Sequence, residues 1–471
     1  MRDGRIRGAV ILTAVLVLCA TAVGCDDSTE DDRRPAGKGQ ARLAGAPDFD
    51  GDGYEDAAVV VTGSKGAGLD PDYGPVVVFR GGPQGPRPTG KPLIAGSGHR
   101  ENGFLEEGFM SDLTADLNGD GFTDLVLHQR VPVPGTEDNQ EQGARTVVFH
   151  GGKDGLSRKS VRLRAPGDDP EHPFVAAGAG DFDGDGHADL YGDGTVLRGP
   201  FDSHGKPKAS HRLSDRELSA STRSTVADFD GDGRMDVLVH SDYAEEADVV
   251  EEDRRSVRYL RGTPGHGLEE VGELSRRLSE AVGGKGSAAH AGVDVDGDGF
   301  PDLIPPRPSD EGGGKYLRGG PDGFRSGTSR LALDLDSSTI GTHVIQGNVT
   351  SAYARNLVVD VEQGSTDQQG HLQLVRLTGK GSAVTMTALQ TVDMNTDGIP
   401  GDVFESDIGK RDRFADDLRV LDADHDGNDD VLVFEPYTAK GRYGGIWFLS
   451  GSKDGLSTRG VHRYTLDELG L

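Results

Sequence analysis

An all-β chain folded as a seven-bladed β-propeller of four-stranded antiparallel blades is what this sequence predicts, on three observations. An aspartate-rich loop of the form Asp-x-(Asp/Asn)-x-Asp-Gly-x-x-Asp occurs six times, each copy followed at once by β-forming apolar residues. A second signature, an apolar strand ending in Gly or Gly-Gly and a turn, follows each loop. Together they recur with a mean period of roughly sixty residues, enough for four short strands per unit. An open solenoid and two small sandwiches are the alternatives. Unit number and strand count favour a closed ring, which hides faces that an open array must cap.

The loops come first in each unit. They run Asp48-Phe-Asp50-Gly-Asp52-Gly-Tyr54-Glu-Asp56, Asp116-Leu-Asn118-Gly-Asp120-Gly-Phe122-Thr-Asp124 and Asp181-Phe-Asp183-Gly-Asp185-Gly-His187-Ala-Asp189. Three more are Asp228-Phe-Asp230-Gly-Asp232-Gly-Arg234-Met-Asp236, Asp294-Val-Asp296-Gly-Asp298-Gly-Phe300-Pro-Asp302 and Asp422-Ala-Asp424-His-Asp426-Gly-Asn428-Asp-Asp430. A hard cation such as Ca2+ takes six to eight oxygens, and a tightly wrapped chain offers every second residue to one point. Positions 1, 3 and 5 supply side-chain oxygens. Glycine at position 6 permits the sharp turn that aims the position 7 carbonyl inward, and the aspartate at position 9 closes the cage. About six Ca2+ sites are expected. Magnesium fits less well because it demands a strict octahedron and retains its own waters. Solvated acidic turns are the plain alternative, and six copies in one register argue against them. Asp120→Ala is expected to cost stability chiefly in calcium.

The strand signature follows at Val76-Val-Val-Phe-Arg-Gly-Gly82, Thr146-Val-Val-Phe-His-Gly-Gly152, Thr195-Val-Leu-Arg-Gly199, Arg258-Tyr-Leu-Arg-Gly262, Lys315-Tyr-Leu-Arg-Gly-Gly320 and Ile446-Trp-Phe-Leu-Ser-Gly451. A worn seventh copy ends at Gly379. Aligning backwards from it places Asn348, Thr350, Ala352 and Asn356 where carboxylates stand elsewhere. The sixth unit is therefore expected to be metal-free, and Asn356→Ala to do little. The run Asp393-Met-Asn395-Thr-Asp397-Gly398 imitates the start of a loop but offers Gly401 at the ninth position, and reads as an inter-blade connection.

These units resemble FG-GAP/VCBS repeats, the family that includes the propeller at the N-terminus of integrin α chains. Glu107-Gly-Phe109 and Asp412-Arg-Phe414-Ala415, just ahead of two loops, resemble that family's Phe-Gly element, and the match covers roughly 41–471. The Gly-Ala-Pro element expected after the second strand is absent, being His128-Gln129-Arg130 in one unit and His240-Ser241-Asp242 in another. The resemblance implies calcium in the loops quoted above.

Residues 1–25 read as an export signal: a basic start (Arg2, Arg5, Arg7), an apolar run from Ala9 to Val23, then Gly24-Cys25. Ala22-Val23-Gly24-Cys25 resembles a bacterial lipobox, which predicts lipidation at Cys25 and a membrane or cell-surface location. An ordinary cleaved signal and an uncleaved anchor are the alternatives. Residues 26–40, charged and without apolar period, read as a flexible tether. Both cysteines lie in the leader, so the exported body has no disulfide, and bound calcium is the substitute cross-link. A net charge of −29 argues against nucleic acid or an anionic membrane surface as partner.

Strand alternation places the metal loops and Gly-Gly turns on one face and the longer second-to-third strand loops on the other. Tyr73, Arg130, Tyr243, Tyr437, Arg442 and Tyr443 are the ligand candidates there, because aromatics and arginine concentrate in binding hot spots. No nucleophile elbow, His-Glu-x-x-His or phosphate-cradling loop is found. His290 and His343 are a hint of a channel lining. The expected function is a calcium-binding, membrane-anchored binding or adhesion module for a protein or glycan. The alternative is a hydrolase or lyase, since relatives of these repeats occur in phospholipase-like and sugar-lyase propellers.

Overall fold

Valine-rich runs such as Asp236–His240, buried at every position, form strands because β-branched side chains pack well on a sheet covered on both faces. The computed structural model describes residues 47–471 apart from 65–66, 71, 96–99, 102–103, 106–107, 133–141, 167–172, 214–222, 242–255, 284–288, 306–313, 335–343, 352–353, 362–369, 404, 407–408 and 411–412. The leader, the tether, Cys25, Tyr243 and His343 lie outside the described residues. Among the described residues no helix is long and apolar enough to cross a membrane.

The chain is all-β in plan, a propeller-like succession of small antiparallel sheets. Four of them have four strands in chain order, spanning 109–162, 178–212, 223–270 and 417–464. The first described sheet has three, Ala57–Val60, Val76–Arg80 and Arg87–Pro88.

The expectation of seven four-stranded blades requires correction, because among the described residues six sheets have three or more strands. Among the described residues unit five has the two-stranded pair His290–Val293 and Asp302–Ile304, a single bridge between Leu303 and Leu317, and a short hairpin of Gly319–Gly320 with Gly323–Phe324. Its outer strand Ser329–Asp334 pairs in parallel with Ala383–Asp393 and so enters the six-stranded sheet of the following unit. Strand Ala383–Asp393 is long enough to offer a free edge, and an unpaired edge captures the nearest strand whichever unit supplied it.

The apolar core is divided into seven clusters, each lying between neighbouring repeat units. One of them packs Ala57, Val59, Val77 and Phe79 against Leu421, Leu432, Phe434 and Ile446, so the last sheet closes on the first. Tyr464 adds an edge-on ring contact to Phe79 at 5.3 Å and donates its hydroxyl to the Pro86 carbonyl at 3.2 Å.

An element not foreseen is the helix Gly272–Val282, which ends on Gly283 in the left-handed region. Its buried serines replace an outer strand. Ser275 Oγ and Ser279 Oγ accept the Tyr259 and Val257 N–H groups, both at 3.0 Å, satisfying donors that strand Gly267–Glu270 does not reach.

Candidate metal centres

All six aspartate loops fold alike. In the first, Asp48 accepts the N–H groups of Gly51, Asp52 and Gly53 at 2.7, 3.2 and 3.0 Å. Asp50 then accepts from Asp52, and Asp52 from Tyr54. The last loop repeats this with Asp426 and Gly427 donating to Asp422, Asp426 to Asp424, and Asn428 to Asp426. The sixth-position glycine has φ between 85° and 91° in every copy, a region that costs an L side chain energy.

The ninth position ties each loop to its sheet. Asp56 accepts the Phe49 N–H at 2.8 Å on one oxygen and the Gly81 N–H at 2.9 Å on the other. The same two bonds recur at Asp124, Asp189, Asp236, Asp302 and Asp430, whose strand partners are Gly151, Gly199, Gly262, Gly319 and Gly451. Metal loops and Gly turns therefore share one end of the sheets. The glycine is required by closeness: a Cβ on Gly81 would lie 2.4 Å from the Glu55 carbonyl oxygen and 2.8 Å from that of Ala423 in the last unit.

Four loops bring positions 1, 3 and 9 together: Asp48, Asp50 and Asp56; Asp181, Asp183 and Asp189; Asp228, Asp230 and Asp236; Asp294, Asp296 and Asp302. The last loop brings together positions 1, 3 and 5, Asp422, Asp424 and Asp426. In each set one oxygen per residue lies within 4.8 Å of the others. Such donors fit a hard divalent cation. Asp183 Oδ2 and Asp296 Oδ2 are buried and each faces a guanidinium group, of Arg198 and of Arg318. Burial, with neighbouring carboxylates, also raises the pKa of Asp50, Asp230, Asp296 and Asp424. At the ninth position burial pushes Asp56, Asp189, Asp236 and Asp430 up to about 7, and Asp302 to about 8. A cation would relieve both desolvation and repulsion.

The seventh-position side chains have a role of their own. Phe122 lies over Gly51 of the preceding loop, His187 over Gly119, Arg234 over Gly184 and Phe300 over Gly231. Tyr54 meets His425 of the last loop edge-on at 6.0 Å, which continues the chain of contacts across the closing seam.

The loop at 348–356 lacks carboxylates, yet Asn356 is fully buried and accepts the Thr350 N–H at 3.1 Å and the Thr350 hydroxyl at 2.9 Å. These bonds argue against the expectation that Asn356→Ala would do little. The imitation loop is an Asx turn in which Asp393 accepts from the Asn395 N–H and the Thr396 hydroxyl. It brings no carboxylates together among the described residues.

Two of the ligand candidates do not face solvent. Tyr437 is fully buried with its hydroxyl on the Tyr464 carbonyl at 2.5 Å, and Tyr73 is buried under Arg130, whose guanidinium carbon lies 4.0 Å from the ring centre. They pack into the interior, Tyr437 from within the strand Asp430–Thr438, because a tyrosine can bury its ring and still satisfy its hydroxyl locally. Arg442 is exposed, 5.0 Å above the Tyr443 ring and 3.7 Å from Asp402. His290 is buried. A surface signal that sequence reading missed is a cleft of about 250 Å3 at the closing seam, lined among others by Arg87, Phe448, Ser450, Arg459, His462 and Tyr464 and by no carboxylate.

No protein-family model matches this chain, and no curated protein matches it. Among solved structures, the exotype rhamnogalacturonan lyase YesX is similar over 86% of this chain and 74% of its own, at 14% identity and a TM-score of 0.35. Likeness at that level decides nothing about this protein's activity.

Proposed function

We propose that this chain is a calcium-stabilised propeller of the FG-GAP/VCBS type, exported, lipid-anchored at Cys25, and acting as a binding or adhesion module for a protein or glycan. The observation that carries the calcium part is the convergence of three carboxylates in each of five loops. Asp116, Asp120 and Asp124, with Asn118 in the third position, make the sixth. A binding role is supported by the exposed Arg442–Tyr443 pair and by the carboxylate-free seam cleft, where arginine and aromatic side chains stand together on an otherwise acidic protein.

Thermal unfolding in chelator and across a calcium titration, with magnesium as control, tests the first part. A large calcium-specific rise is expected; no shift would reduce the loops to acidic turns. A glycan array and a panel of purified surface proteins, probed with calcium present, test the second. Chain scission of a polysaccharide or phospholipid without stable binding would replace the module by the hydrolase or lyase alternative.

A further inference from the structure

The metal loops share one backbone but not one counter-charge. In the first unit Ala57 pairs with Phe79, so the residue opposite Asp56 in the ladder is Arg80. The same register sets Arg198 opposite Asp189, Arg261 opposite Asp236 and Arg318 opposite Asp302. From there each guanidinium reaches the third-position carboxylate of its loop. Arg80 Nε lies 2.5 Å from Asp50 Oδ2 and Arg261 Nε 2.9 Å from Asp230 Oδ2, while Arg198 and Arg318 form ion pairs with Asp183 and Asp296.

The fifth-position carboxylates of these four loops are also drawn onto cations. Asp52 takes Arg80 at 2.8 Å, Asp185 takes Lys208 at 3.0 Å, Asp232 pairs with Arg234, and Asp298 takes Arg318 at 2.8 Å and Arg325 at 3.0 Å. The converging carboxylate sets in these loops are positions 1, 3 and 9, while position 5 is ion-paired.

The last loop differs. Val431 pairs with Leu449, which puts Ser450 opposite Asp430. Among the described residues no lysine or arginine pairs with Asp422, Asp424, Asp426 or Asp430, and here the fifth-position Asp426 stays with Asp422 and Asp424. The loop at 116–124 is intermediate, with Asn118 in the third position and His150 in the arginine's place, 3.3 Å from Asp124.

We propose that the cross-strand arginine grades the metal loops. Arg80, Arg198, Arg261 and Arg318 act as built-in counter-cations that offset part of the negative charge of their loops and compete with calcium. The loop 422–430, which has no such cation, is the primary calcium site and fills first. This rests on the calcium reading above and adds to it an order of filling with a structural consequence. The primary loop lies on the closing seam: the Asp422 N–H donates to Glu55 Oε2 at 2.6 Å, and the Gly82 N–H to the Ala423 carbonyl at 2.8 Å. Calcium there fastens the last sheet to the first.

The test is calorimetric calcium titration of the full chain and of two variants, Ser450→Arg and Arg80→Gln, with chelator-treated melting curves to check folding. The wild type should show one tight site well separated from a weaker class. Ser450→Arg should weaken that site on the order of tenfold, the effect of one added positive charge close to a divalent ion in water. Arg80→Gln should instead bring a second site up toward the tight class, and carries the test alone if Ser450→Arg does not fold. Uniform affinities that neither variant moves would overturn the grading and leave the calcium reading intact. Absence of any calcium binding would overturn both.

Discussion

The loops 294–302 and 348–356 occupy equivalent places in neighbouring units and meet the same structural need with different chemistry. Asp302 accepts the Val295 and Gly319 N–H groups, both at 2.8 Å, while Asn356 accepts twice from Thr350 and donates to the Val375 carbonyl at 3.4 Å. Both residues are fully buried. Burial pushes the Asp302 carboxyl up to about 8, and Asp296 and Asp294 add to the rise; an amide has no charge to desolvate. The ninth position thus has a tie-down role that survives loss of the metal ligands, and the negative charge is a separate demand that only a cation relieves.

Breaking that tie should have the largest effect. Asp302→Ala leaves two buried N–H groups without acceptors, an expected loss of about 3 kcal/mol in chelator and more in calcium, read by urea unfolding. Asn356→Ala should cost about 1–2 kcal/mol, equally in calcium and chelator, because its bonds involve no metal. A loss at Asn356 that grew with calcium would show that the loop 348–356 binds metal after all.

The charge difference is exposed by pH. In chelator, Asp56, Asp189, Asp236, Asp302 and Asp430 hold protons in the folded state up to about pH 7 to 8 but release them near their ordinary 3.8 when unfolded. The folded protein therefore binds more protons across this window, and its stability should fall as pH rises from about 4 through about 7. With calcium, which needs the ionised carboxylates, the trend should flatten or reverse. Urea midpoints at three pH values, with and without calcium, check the sign.

The smallest effect belongs to the fifth position of the arginine-paired loops. Asp52→Asn should change metal-free stability by less than about 1 kcal/mol, since its bond to Arg80 is a partly exposed ion pair. A loss comparable to that at Asp302 would place Asp52 in the structural core of the loop.

Much of this was legible in the chain. Oxygen ligands at alternate positions and a glycine at the turn are local requirements, so the six loops and the absent ligands at 348–356 appear directly in the sequence. The helix Gly272–Val282 was legible too, from Leu274, Leu278 and Val282 one turn apart with Glu273, Arg276 and Glu280 on the other face, but the expectation of an outer strand hid it. Tyr73 and Tyr437 were misplaced because a tyrosine in a segment read as a loop reads as surface until its neighbours are known, and Tyr437 belongs to the strand Asp430–Thr438.

By itself the sequence determined the repeat, the carboxylate spacing of the loops and the all-β character, because periodicity and side-chain spacing are written within a few consecutive residues. Tertiary structure decided what depends on pairing between distant segments. It set the parallel docking of Ser329–Asp334 on Ala383–Asp393 that leaves six sheets of three or more strands among the described residues, and the closing of residues 417–469 on 57–79. It also set the cross-strand register that gives Arg80 to one loop and Ser450 to another. Strand edges accept any partner of suitable length and register, so the choice among partners is made by the packed whole and not by the local run of residues.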